Sequence, residues 1–201
     1  AWSADFTIVD GQFVTSTQTL LTGETGTINS GGDLTSSSHA ISGGASNITV
    51  LNNGAIKTTS SGGYVAIYLF NNSGTNTITN NGTIATIGTY GRGIYSSNNS
   101  GTTTVINSGT ITTTNENGYA INSSGNSGTT NITNSGTITT SEQYGYGIWS
   151  QNQASQGTST ITNSGTITTG ERDSMGIYST SNSGTTNITN SGTITTSGSS
   201  G

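Results

Sequence analysis

The chain has 201 residues, a net charge of −5 and only 5% charged residues, with no cysteine and no proline. Its few Lys and Arg make no basic patch for nucleic acid, and the lack of cysteine excludes a disulfide framework or a cysteine-based zinc site. Hydrophobic residues make up only 27%, a level often seen in disordered chains, yet the bulk is Thr, Ser, Asn, Gly and Ile, the residues of strands and tight turns.

At the start, Ala1-Trp2-Ser3-Ala4-Asp5 is compatible with the scar of a cleaved signal peptide or simply with an arbitrary end of the sequence. Residues 1–21 concentrate Trp2, Phe6, Ile8, Val9, Phe13, Val14, Leu20 and Leu21 and lack the pattern that follows. They are expected to cap the first coil of a repeat array. No apolar run in the chain is long enough to span a membrane.

From residue 22 onward the chain repeats. Asn107-Ser108-Gly109-Thr110-Ile111 recurs from Asn134, Asn163 and Asn190, with looser copies from Asn52 and Asn80. The glycines at 54, 82, 109, 136, 165 and 192 are 28, 27, 27, 29 and 27 residues apart. Ile41, Ile67, Ile94, Ile121, Ile148 and Ile177 keep nearly the same step, as do Gly74, Gly101, Gly128, Gly157 and Gly184. The leucine pattern of leucine-rich repeats is missing, and the residues of helical repeats are scarce. Short alternating runs such as Thr137-Ile138-Thr139 point to strands. The predicted fold is therefore all-β: a right-handed parallel β-helix (β-solenoid) of about six three-sided coils, forming one continuous domain over residues 22–201.

Within one coil, strands are predicted near Thr103–Ile106, Thr110–Thr113 and Tyr119–Ser123. Glycine corners are predicted at Asn107-Ser108-Gly109 and Asn126-Ser127-Gly128, with glycine supplying a positive φ. Alternation points Val105, Ile111 and Ile121 inward. Their equivalents stack as Ile78, Val105, Ile132, Ile161 and Ile188, and as Ile84, Ile111, Ile138, Ile167 and Ile194. Ser96, Ser123, Ser150 and Ser179 fill small inward places, and Asn80, Asn107, Asn134, Asn163 and Asn190 are expected to form an amide ladder. No cap follows the last repeat before Gly201. The sequence is therefore read as part of a longer protein, or as a unit whose open strand edges stack into filaments.

The Asn-Ser-Gly-Thr-Ile repeats, the Thr/Ser/Gly/Asn-rich composition and the opening Ala4-Asp5-Phe6-Thr7-Ile8 resemble the passenger region of bacterial autotransporters. The resemblance spans about Ile28 to Thr196. It implies secretion, display at the bacterial cell surface and frequent adhesion to a host protein or glycan surface. In that family, membrane attachment runs through a C-terminal barrel, which this sequence does not contain.

No catalytic residue, cofactor or metal is assigned. His39 is the only histidine and has no nucleophile context, so it reads as structural or surface-exposed. Glu116, Glu142 and Glu171 recur in one loop and are expected to line one edge, as solvated acids or as a weak Ca²⁺ site. Asn-x-Ser/Thr triplets such as Asn47-Ile48-Thr49 fit turns and strands without glycans. Two candidate surfaces remain. Tyr68, Tyr95, Asn122, Trp149 and Tyr178 follow the third-strand isoleucines and are expected outward, either stacking on one another or meeting a sugar or protein. Thr110 and Thr112, Thr137 and Thr139, Thr166 and Thr168, and Thr193 and Thr195 flank inward isoleucines and form an outward grid. Ala85 interrupts the grid in an early coil. Such Thr-x-Thr ranks resemble those of insect antifreeze proteins, which makes ice binding the alternative to adhesion or self-association.

Overall fold

The structure, a computed structural model, describes residues 5–151, 156–180 and 183–198. Trp2 and Gly201 lie outside them. All described regular elements are strands, in three parallel sheets that wind into a β-solenoid. The first sheet runs through Phe6–Ile8, Thr25–Ile28, Thr49–Asn52, Thr75–Asn80, Thr102–Asn107, Thr129–Asn134, Thr158–Asn163 and Thr185–Asn190. The second runs through Phe13–Val14, Asp33–Ser36, Ala55–Thr58, Thr83–Thr86, Thr110–Thr113, Thr137–Thr140, Thr166–Thr169 and Thr193–Thr196. The third runs through Gln18–Thr19, Ile41–Gly43, Val65–Phe70, Arg92–Ser97, Tyr119–Ser124, Tyr146–Gln151 and Met175–Thr180.

Residues 1–21 are expected to cap the first coil; within them Phe6–Ile8, Phe13–Val14 and Gln18–Thr19 lie over that coil as a rung added to each sheet. Residues 5–21 thus form a first, short coil. The turn lengthens from 20 residues (Phe6 to Gly26) through 24 (Thr25 to Thr49) to 27 (Thr75 to Thr102). Tight corners shorten the first turn, with Gly11 and Gly23 at φ 73° and 80°. The short coil still buries Ile8 and Leu20, while Val9, Phe13 and Leu21 stay exposed.

The core is a narrow column. Val105, Ile111 and Ile121 are buried, one from each side. Register places Ile78, Val105, Ile132, Ile161 and Ile188 over one another, and likewise Ile84, Ile111, Ile138, Ile167 and Ile194. Each fully buried isoleucine contributes roughly 1.5–3 kcal/mol. So narrow a core needs few large residues per coil, which explains the low hydrophobic fraction. Ser96, Ser123 and Ser150 are buried in the same column.

The amide ladder forms and starts one rung earlier than expected. Nδ2 of Asn52 donates to Oδ1 of Asn80, and the chain continues through Asn107, Asn134 and Asn163 to Asn190, each bond 2.7 Å long. The glycine beside it has a different role from the one expected. Gly109 does not adopt a positive φ; among the described glycines only Gly11, Gly23, Gly31 and Gly125 do. Instead, a Cβ on Gly109 would overlap the backbone carbonyl of Gly82, and Gly136 stands in the same relation to Gly109. The corner requires glycine because successive turns approach one another too closely for any side chain.

Candidate functional site

Three outward surfaces result from this register. On the second sheet, Thr83, Thr110, Thr137, Thr166 and Thr193 form one column, and Thr112, Thr139, Thr168 and Thr195 form another. Ala85 and Lys57 occupy the earlier rungs of the second column, and Lys57 pairs with Asp33 at 2.8 Å. Between the two columns Ile84, Ile111, Ile138 and Ile167 point inward and are buried. The predicted grid is therefore present and in register.

A second threonine surface was missed. On the first sheet, Thr75, Thr77 and Thr79 face outward, followed rung by rung by Thr102, Thr104 and Ile106; Thr129, Asn131 and Thr133; and Thr158, Thr160 and Thr162. This face is three columns wide. Its signal in the sequence is Thr at most alternate positions of these strands, with Ile106 and Asn131 as the exceptions. The strand begins at Thr102, one residue before its predicted start, which adds the third outward column.

On the third sheet the aromatic residues are engaged with one another. Tyr68 stacks on Tyr95 at 5.1 Å and 6°, and Tyr119 on Tyr146 at 5.3 Å and 8°. Trp149 meets Tyr119 and Tyr146 edge-on at 4.6 and 5.2 Å, and Tyr178 stacks on Tyr146 at 5.1 Å. Asn122, expected outward, is only 3% exposed. It is the one position of its column between Tyr95 and Trp149 without a ring. Arg92 bridges this gap, its Cζ lying 4.6 Å from the Tyr95 ring centre and 5.4 Å from that of Tyr119. A cation over two ring faces continues the stack where a ring is missing. Burial pushes the Tyr119 and Tyr146 phenols above the ordinary tyrosine range.

His39 sits at the start of this ladder, 5.5 Å from the Tyr64 ring and 5.3 Å from that of Tyr68. Its Nδ1 accepts a hydrogen bond from the Val65 N–H at 3.0 Å. Burial, aided by the Arg92 charge, holds its pKa below the ordinary 6.5. The loop acids do not align as expected. The N–H of Tyr90 bonds to the Glu116 carbonyl, that of Asn117 to Gln143 and that of Tyr144 to Arg172. Glu116 therefore shares its register with Gln143 and Arg172, one residue away from Glu142 and Glu171. Among the described residues no group of three His, Cys, Asp or Glu side chains is placed to hold a metal ion. Among them, too, no helix is long and apolar enough to cross a membrane.

The fold and its surfaces define a three-sided parallel β-solenoid with two threonine faces and one aromatic face. No protein-family model, curated protein or solved structure matches the chain.

Proposed function

We propose that this chain is a structural and adhesive module of the autotransporter-passenger type, displayed outside a bacterial cell, and not an enzyme. The observation that carries this reading is the pair of threonine faces held in register. From Thr75 onward, the strands of the first two sheets contain no charged residue. A flat, uncharged grid of methyls and hydroxyls offers contact area without the cost of desolvating charges, provided that its hydroxyls hydrogen-bond to the partner. Because its strands are already hydrogen-bonded, little ordering entropy is lost on contact. Repetition along the rod adds avidity, since one docked rung raises the effective concentration of the next. Host matrix protein or glycan surfaces are the partners this suits.

The test is binding of the purified chain to immobilised matrix proteins and glycans. Lysine at Thr137 and Thr139 would put two charges into the grid, and binding should weaken by about tenfold or more. Absence of binding, together with normal adhesion by cells lacking this region, would remove the proposal.

Ice binding is the second reading, favoured by the regular spacing of the second-sheet grid. Its hydroxyls repeat at about 4.8 Å between rungs and about 6.7 Å along each strand. Thermal hysteresis and shaped ice crystals with the wild-type chain, both lost in Thr137→Lys, would support it. Their absence in the wild type would eliminate it.

A further inference from the structure

The rings of the third face are packed against one another, so their faces are largely unavailable to a ligand. Free aromatic surface lies instead at the corner where the second sheet leads into the third. The four loops there after Thr86 each pass through one left-handed residue: Tyr90 at φ 62°, Asn117 at 55°, Tyr144 at 56° and Asp173 at 58°. The backbone bonds from Tyr90 to Glu116, Asn117 to Gln143 and Tyr144 to Arg172 stack these four residues on successive rungs. Asn and Asp tolerate this conformation, because a short polar side chain relieves the crowding of Cβ against the backbone. The other left-handed non-glycine residues described are Asn47, Asn71 and Asn98. Tyrosine is the exception to this preference. Neither the turn nor the core explains it, since Tyr90 is 54% exposed and Tyr144 is partly exposed.

We propose that Tyr90, Asn117, Tyr144, Arg172 and Asp173 form a carbohydrate-binding strip that takes a neutral saccharide chain lying along the rod axis. The inference rests on the adhesive reading and names its partner and its place. Tyrosine rings offer apolar faces to the C–H face of a pyranose while keeping a polar hydroxyl at the rim. Asn117, on the rung between them, brings an amide that can both donate and accept. At the far end, Arg172 Nη2 donates to the Tyr144 hydroxyl at 3.0 Å, and Arg172 Nε pairs with Asp173 Oδ2 at 3.1 Å. That pair presents further donors and acceptors for sugar hydroxyls. Two rungs separate Tyr90 from Tyr144, or about 9–10 Å. This spacing is commensurate with a disaccharide in an extended β-1,4-linked chain, so the two rings meet equivalent sugars. The charge also selects. Glu116, Glu142 and Glu171 lie in the same loops and the chain carries −5 overall, which repels sulfated and uronic-acid polymers.

The experiment measures binding of β-1,4-linked glucan, mannan and N-acetylglucosamine oligosaccharides by calorimetry and NMR, with Tyr90→Asn/Tyr144→Asn as the key variant. Asparagine suits the left-handed backbone, so the variant should fold and its thermal midpoint should rise by about 2–4 °C. Saccharide binding should fall by about tenfold or more. Tyr90→Phe, which keeps the ring, should lose less than the asparagine variant. A more stable protein that has lost binding supports the strip. Failure of the wild type to bind any of the three oligosaccharides at millimolar concentration overturns it, as does undiminished binding by the asparagine variant. Either result leaves the adhesive reading standing if the wild type still binds a matrix protein or any glycan; that reading falls only if it binds neither and cells lacking this region adhere normally.

Discussion

Single side chains here act through the rungs above and below them. Asn107 Oδ1 accepts a hydrogen bond from the Asn80 amide, and its Nδ2 donates one to Asn134 Oδ1. Asn107→Ala therefore orphans a buried donor on one neighbour and a buried acceptor on the other. A loss of about 2–4 kcal/mol is expected in denaturant unfolding, more than a single hydrogen bond contributes. Thr113 presents the opposite case. Its hydroxyl is buried without a hydrogen-bond partner, so Thr113→Val, which keeps the shape and removes the polar atom, should stabilise by roughly 1 kcal/mol. His39 gives a pH signature. Its folded pKa is depressed, chiefly by burial, so the folded state favours the neutral ring. Its contribution to stability is complete above 6.5 and is lost as pH falls through the lower folded value. Unfolding midpoints of the wild type should drop across that window relative to His39→Gln. Equal profiles would show that the ring does not sense folding.

At the scale of strands and corners, the spacing between turns dominates. Gly136 lies where a Cβ would overlap the Gly109 carbonyl of the turn below. Backbone cannot yield as a flexible side chain would, so Gly136→Ala must push two turns apart beside the amide ladder. A destabilisation of about 1–3 kcal/mol is expected, with faster amide exchange at Ser135 and Thr137 as the local readout. The same residue in a turn that merely needed positive φ would be rescued by asparagine; Gly136→Asn should be no better than alanine. The aromatic ladder illustrates a different limit of sequence reading. Alternation places Tyr68, Tyr95, Trp149 and Tyr178 on the outer side, but the direction in which a ring leans depends on its neighbours. Tyr119 and Tyr146 come from a second column, and Arg92 of that same column links Tyr95 to Tyr119 past Asn122.

Over the whole molecule, the solenoid is close to a one-dimensional stack in which each turn contacts its neighbours. Removal of residues 102–128, one full turn of 27 residues in the register of Thr102 with Thr129, should leave a folded rod shorter by about 4.8 Å. Circular dichroism should stay strand-like, and small-angle scattering should show the shortening. Removal of half that segment shifts inward residues to the wrong side, and should give an unfolded or aggregated chain.

The repeat alone determined the period, the three-sided coil, the inward isoleucines and the asparagine ladder. Residues one turn apart in a parallel stack must lie over one another, so a column in the sequence is a column in space. That logic holds only while the turn length is constant and the backbone is ordinary. The short first coil, the slip of Glu116 out of line with Glu142 and Glu171, the closed packing of the aromatic face and the left-handed tyrosines at 90 and 144 were decided by the tertiary structure. Each depends on how loops of unequal length and neighbouring side chains compete for the same space, and a period does not record that competition.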